Sequence, residues 1–221
     1  MFKNRAQAGR ELAARLEHLR DDPGPDVVVL GLPRGGVVVA AEIAAGLCAP
    51  LDVLVVLKLR APRQPELAIG AVADGEHPHR FLNDRVIARL GVEDEYLQRE
   101  IAMQLDELRR RQALYRRGRP AIPLTGRTLV VADDGIATGA TVRAGIKALR
   151  RAAPERIVLA VPVGPRESVR SLGADVDELI CLETPSEFSS VGEFYGDFRQ
   201  TTDAEVIAAL KQQWVARPSE R

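Results

Sequence analysis

The sequence predicts an α/β fold: a doubly wound, mainly parallel five-stranded sheet with helices on both faces. Five short apolar runs, VVVLGL (27–32), VLVVLKL (53–59), TLVVA (128–132), RIVLAV (156–161) and ELICLE (178–183), lack the polar alternation of half-exposed strands. They therefore read as strands buried on both faces, the habit of parallel sheets covered by helices. Helical segments stand between most of them, VVVAAEIAAGL, VRAGIKALRRA and ESVRSLGA, in the order that doubly wound sheets require. A length of 221 residues suits one domain over 1–221, with its core at about 26–183 and an excursion.

Composition narrows the function classes. Lysine plus arginine (31) equals aspartate plus glutamate (31), so no overall charge draws the chain to nucleic acid or to an anionic membrane. No segment approaches the roughly 18 consecutive apolar residues of a membrane span, and MFKNRAQAGRELAARL reads as a polar helix rather than a cleavable signal. A cytoplasmic protein is expected. Cys48 and Cys181 lack metal-ligand spacing and sit in apolar surroundings, which suits buried free thiols.

The first helix follows Asn4, whose side chain with Gln7 makes a capping box, and Leu12, Leu16 and Leu19 form its apolar stripe. Residues 60–127 are too many for a bare loop, so an insertion at about 60–120 carries structure of its own. Within it, AIGAVADGEHPHRFLN has apolar flanks around Asp74-Gly75, a hairpin or flap signal. VEDEYLQREIAMQLDELRRRQALYRRG is a long helix with a stripe at Leu97, Ile101, Leu105 and Leu108, interrupted by Gln112 before Tyr115.

VVADDGIATGAT (130–141) carries the chemistry. Its strand ends where open α/β sheets bind ligands. Gly135 and Gly139 let backbone N–H groups converge, Thr138 and Thr141 add hydroxyls, and the next helix presents its positive end. Ala140 stands where a P-loop needs lysine, and the dinucleotide spacing does not match either. Asp133 and Asp134 would repel a bare phosphate, so the ligand must also offer hydrogen-bond donors or a metal. A sugar phosphate meets both demands, its hydroxyls donating to the carboxylates while its phosphate lies in the loop. The bland alternative, two aspartates capping a turn, leaves Thr-Gly-Ala-Thr unexplained.

This string resembles the phosphoribosyl-pyrophosphate (PRPP) motif of type I phosphoribosyltransferases, and the resemblance runs from about residue 26 to about residue 200. It implies 5-phosphate binding by Gly135, Ala137, Thr138, Gly139, Ala140 and Thr141. A second piece, GLPRGGVVVAAEIAAGL (31–47), is similar to the family's pyrophosphate loop: Pro33, Arg34, Gly35 and Gly36 turn into a helix, with a cis peptide implied between Pro33 and Arg34. A third, VLKLRAPRQPELAIGA (56–71), resembles the mobile catalytic loop of adenine phosphoribosyltransferases, although Leu59 separates Lys58 from Arg60. Lys58 also falls to the pyrophosphate side, and Arg63 reads equally as a solvated cation.

Displacing pyrophosphate from the ribose develops positive charge at the sugar and negative charge on the leaving group. Asp133 and Asp134 would hold the ribose hydroxyls beside the first; Arg34, Lys58 and Arg60 would face the second together with Mg²⁺. The resemblance implies Mg²⁺ held mainly by PRPP and water, with Asp133 and Asp134 reaching it through ribose hydroxyls or water and no direct protein ligand. The flap that follows would exclude water from the reacting sugar.

The implied acceptor is a nitrogen nucleophile, in the first place a nucleobase, as in nucleotide salvage. In 6-oxopurine members an aspartate lies where Ala137 stands here, which weakens a hypoxanthine or guanine assignment. Glu66 is a loop acid or base candidate, against the bland reading of an exposed glutamate. TPSEFSSVGEFYGDFRQ (184–200) resembles the carboxyl-terminal hood of purine-type members, placed at about 184–210. Phe188 is the stacking candidate, with Val191 and Asp197 beside it, against a tail whose aromatics only pack on the core.

His77 and His79 lack a third ligand nearby and read as no zinc site. The arginines of 109–119 read as a solvated or oligomer-facing helix end, open to a homodimer, rather than an RNA track. Two functional alternatives use the same pocket: a PRPP-sensing regulator, RNA-binding in one version, and a hydrolase of PRPP-like metabolites.

Overall fold

The computed structural model describes residues 1–20, 26–74 and 78–215, the side chains of 65, 66 and 213–215 excepted. Helix α1 (Arg5–Arg15) begins where Asn4 accepts the Gln7 N–H at 3.0 Å. The return bond of the capping box is displaced by one residue, since Gln7 Oε1 accepts from Lys3 N–H instead of from Asn4. Strand β1 (Val27–Gly31), helix α2 (Gly35–Leu47) and strand β2 (Leu51–Val53) follow. Strands β3 (Val56–Ala61), β4 (Gln64–Ala73) and β5 (His79–Leu82) and helices α3 (Asp84–Leu90) and α4 (Asp94–Arg116) make up the insertion. The chain then runs through β6 (Thr128–Ala132), α5 (Ala140–Arg150), β7 (Arg156–Val163), α6 (Arg166–Gly173), β8 (Glu178–Glu183) and α7 (Asp203–Val215).

The main sheet has the order β2-β1-β6-β7-β8, and every pairing in it is parallel. Its interior strands are covered on both sides. Val29, Val130 and Val158 pack into a core shared with α1 and α2, whereas Val28, Leu129, Val131 and Leu159 pack into a second core with α5. Alternate residues of one strand thus enter opposite cores, which removes the polar alternation from the sequence. Edge strand β8 departs from that reading: all six of its residues are only half-buried.

The run 53–59 is a correction to the expected strand list. It is divided after Val53: β2 ends the parallel sheet, and β3 opens a separate antiparallel sheet of order β3-β4-β5. In β3 the burial alternates, with Leu57 and Leu59 inward and Lys58 and Arg60 outward, as one solvated face demands. The expected hairpin is β4–β5, paired from Ala73↔His79 to Gly70↔Leu82. Its Gly75 and the His77 of His-x-His lie outside the described residues. Arg63, at the β3–β4 tip, takes a left-handed φ of 63°.

Along α4, Leu97, Ile101, Leu108 and Tyr115 are buried, as are Glu100 and Gln104. Glu100 Oε1 accepts from Arg60 N–H at 3.0 Å and Gln104 Nε2 at 3.2 Å, so these polar groups bond the helix to β3. Gln112, which interrupts the stripe, donates to Asp74 Oδ1. Arg116 corrects the reading of the basic helix end as wholly surface. Its side chain is 13% exposed and bridges Asp52 (3.0 Å) and Asp74 (2.7 Å), which are 9% and 3% exposed. Arg109 and Arg110 are exposed and Arg111 is half-buried; they pair with Asp106 and Glu107 one helical turn back. Helix α7 packs on α2, α4 and β2 rather than over the sheet's carboxyl end.

Cys48 also departs from expectation. It caps α2 in a left-handed conformation and is exposed, while Cys181 is half-buried; both thiols are free. Burial pushes the Cys181 thiol up to about 11. Among the described residues, no helix is long and apolar enough to cross a membrane.

Candidate active site

Strands β1 and β6 lie side by side with Gly31 opposite Ala132, so the loops after them leave the sheet together. Leu32 N–H still bonds Ala132 O at 3.0 Å. Beyond it the peptide between Pro33 and Arg34 is cis. Arg34 occupies the N-cap of α2 without a side-chain capping bond. Gly35 and Gly36 then press on the acidic pair: a β-carbon on Gly36 would lie 2.8 Å from Ala132 O and from Asp133 Cα. The absence of a side chain is what lets the two loops touch.

The second loop ends at Gly139, the N-cap of α5, in a left-handed conformation (φ 71°) and again without a side-chain capping bond. Neither N-cap residue offers a side chain to the first N–H groups of its helix; the Ala140 N–H of α5 has only a long bond of 3.5 Å to Thr138 Oγ1, and such helix ends suit an anion. The loop is held from below. Ile136 is buried and its N–H bonds Val163 O at 2.8 Å, and Ser168 Oγ donates to Ala137 O at 2.7 Å. Ala137 and Thr138 are exposed at its crest, Thr141 half-buried behind them.

Asp133 and Asp134 lie between the two loops. Asp133 Oδ1 accepts the Asp134 N–H at 2.9 Å. Burial, and after it the neighbouring Asp134 carboxylate, holds the Asp133 carboxyl well above the usual carboxylate range. Asp134 Oδ2 accepts from Arg5 Nε at 2.7 Å, and the Asp134 carbonyl accepts from the Tyr195 hydroxyl at 2.7 Å. Burial, then the Asp134 charge, raises the Tyr195 phenol, so it remains a donor.

The structure brings Gly35, Gly36, Asp133, Asp134 and Val191 to one junction, with Arg34 one residue away in the chain. Val191 leans over Gly135, its Cγ1 2.4 Å from where a β-carbon there would stand. The Phe188 ring stacks on Phe194 (centroids 5.7 Å, 13°), so one of its faces is already covered. Asp197 is exposed and accepts the Arg199 N–H at 3.1 Å. Lys58 and Arg60 are not joined to these loops: among the described residues no hydrogen bond or ion pair links either side chain to them. The Glu66 side chain lies outside the described residues.

Sequence reasoning missed Arg5, Tyr195 and Phe198. Arg5 carried one readable signal: it is a cation in the first turn of a helix, where the macrodipole disfavours positive charge. A cavity of about 260 Å³ elsewhere, lined by Leu30, Asp52, Leu54, Arg116 and Ile122, includes none of the two loops. Its charged groups satisfy one another, so it does not compete as the anion site.

The phosphoribosyl transferase domain family matches residues 2–197, both loops included. The chain belongs to that family. Proteins of two Mycobacterium tuberculosis strains, named "Putative phosphoribosyl transferase", are 50% identical over 210 residues. The match takes in 95% of this chain and 46% of theirs, so the chain spans about half the length of these curated relatives. The crystal structure of TT1426 from Thermus thermophilus is similar at 43% identity and a TM-score of 0.82, over 96% of this chain and 99% of that one.

Proposed function

We propose that this phosphoribosyl transferase domain moves the ribose 5-phosphate of PRPP to a nitrogen acceptor, a nucleobase in the first place, and releases pyrophosphate. One observation carries the reading. Two helix N-termini whose N-cap residues, Arg34 and Gly139, give no side-chain capping bond flank a pair of carboxylates, an arrangement complementary to a ligand with anionic ends and a hydroxylated middle.

In this reading the N–H groups after Gly139, with Thr138 and Thr141, bind the 5-phosphate, and Asp133 and Asp134 accept from the ribose hydroxyls. Arg34 and the α2 N-terminus hold the pyrophosphate. The bond from the anomeric carbon to the pyrophosphate oxygen breaks with its electron pair going to the leaving group, and the acceptor nitrogen supplies the pair for the new bond. The carboxylates stand beside the carbon that becomes positive. Lys58 and Arg60, on the solvent face of β3, would reach the leaving group by closure of the flap sheet.

Mg²⁺, the family's usual partner, would supply counter-charge to the pyrophosphate when PRPP carries it. The hard oxygens of Asp133 and Asp134 suit it, but Asp133 Oδ1 and Asp134 Oδ2 already accept hydrogen bonds. The pair therefore fits Mg²⁺ through ribose hydroxyls or water better than by direct ligation.

The deciding experiment incubates the protein with PRPP, Mg²⁺ and a panel of purine, pyrimidine and other nitrogenous acceptors while pyrophosphate is followed. Release with one acceptor names the substrate. Tight PRPP binding without turnover on any acceptor would replace this reading with a sensor.

A further inference from the structure

We infer that Arg5 is a positioning residue of this site: it holds Asp134 by one oxygen, leaves the other for a ribose hydroxyl, and fastens the acidic pair to the hood. The inference rests on the PRPP reading above for its ligand, but its geometry stands independently.

Arg5 comes from the first turn of α1, far in sequence from everything it touches. Its Nε donates to Asp134 Oδ2 at 2.7 Å, and its Nη1 donates to Arg199 O at 2.9 Å. The guanidinium carbon lies 3.9 Å from the centroid of the Phe198 ring and 6.0 Å from that of Tyr195. The side chains of Arg5 and Asp134 are 11% and 19% exposed, so this is not a solvated surface pair. The planar fork is fixed on three sides, by a carboxylate, a carbonyl and an aromatic face, as guanidinium geometry favours.

Arg5 takes Asp134 Oδ2, and the Asp133 carboxyl also hydrogen-bonds the Asp134 side chain; Oδ1 is the oxygen that Arg5 does not hold. The charge matters as much as the direction. Asp133 stands next in the chain, half-buried, and burial, then the Asp134 carboxylate, hold the Asp133 carboxyl above the usual range. Arg5 is the cation bonded directly to the pair. The other group facing it is the Tyr195 hydroxyl, on the Asp134 carbonyl; the Arg199 guanidinium is engaged with Glu205, and the Arg34 charge acts on Tyr115. Arg5 lowers the raised Asp133 carboxyl, so without it Asp133 would keep its proton to higher pH and the pair would accept from ribose hydroxyls less well.

The test titrates PRPP with Mg²⁺ into the parent, Arg5→Gln and Arg5→Lys by calorimetry between about pH 6 and pH 8.5. The parent-to-variant ratio cancels the ionisation of PRPP itself. For Arg5→Gln the affinity is expected to fall by about tenfold or more near neutral pH, by the loss of a buried charged partner. The loss should be larger at the acid end and smaller at the alkaline end. Arg5→Lys should restore a pH-independent ratio while recovering only part of the affinity, because it lacks the fork. A second readout needs no PRPP: carbon NMR of the labelled aspartate carboxyls, where Arg5→Gln should move the Asp133 deprotonation to higher pH. Unchanged affinity in Arg5→Gln overturns the inference, and so does a loss with the same ratio at every pH, which marks a merely structural contact. If the parent fails to bind PRPP, the functional reading falls and the carboxyl titration alone decides Arg5. If Arg5→Gln does not fold, Arg5→Lys decides it: a pH-dependent ratio there overturns the inference.

Discussion

A β-carbon placed on Gly35 would stand 1.9 Å from Asp134 Oδ2 and 2.6 Å from Arg5 Nε. The glycine of one loop is thus the floor on which the ion pair of the other rests. Gly35→Ala should push the loops apart and lower PRPP affinity by about tenfold or more, while leaving the interior cores untouched. Calorimetry with PRPP and a thermal melt together check this; parent-like affinity would show that the loops yield without consequence.

Asp133 yields a pH prediction. Its folded-state carboxyl titrates above the ordinary range, with burial the larger cause and the Asp134 carboxylate the second. A carboxyl raised in this way contributes stability that is complete below the unfolded-state value and is lost as pH rises through the folded-state value. Asp133→Asn mimics the protonated form and keeps its Oδ1 for the Asp134 N–H. The variant should melt higher than the parent at neutral pH and equally at acid pH, by roughly 2–4 °C for each kcal/mol recovered. It should also bind PRPP less well.

Arg116 is the cation between Asp52 and Asp74, and it also donates to Val53 O at 3.1 Å. Desolvation of Arg116 opposes its charge, but the two carboxylates outweigh it and raise its pKa. Arg116→Ala would strand two buried carboxylates and should cost about 3–5 kcal/mol in urea unfolding. Since Asp74 directly follows β4 and Asp52 lies in β2, the flap sheet should loosen against the main sheet. Faster amide exchange in β4 would report that directly.

Lys58 gives a kinetic test of flap closure. It projects from the exposed face of β3, and among the described residues no hydrogen bond or ion pair joins its side chain to the loops. Lys58→Ala should therefore leave PRPP affinity near that of the parent and lower kcat by about 10²–10³, the usual cost of one lost transition-state donor. An equal loss in affinity and kcat would place Lys58 in ground-state binding instead.

Much of this was readable in the chain. The strands at 128–132 and 156–161 announce themselves because both faces are buried, and the Asn4 cap because a side chain meets an N–H three residues on. The acidic pair and the glycines of 135–139 are legible for the same reason: a loop that cradles an anion needs particular residues at fixed, short spacing. The run 53–59 misled because a continuous apolar stretch does not reveal where one sheet ends and another begins.

What local pattern determined, then, was the parallel α/β framework and the two glycine-bearing loops at its carboxyl end. Tertiary structure alone decided that Arg5 meets Asp134 across 129 residues of chain, that Arg116 turns inward to two aspartates, and that Phe188 lies on Phe194. The reason is physical. Periodicity, capping and turn chemistry are settled between near neighbours, but the partner of a charge or a ring depends on which distant segments the packed sheet brings within a few ångströms of it.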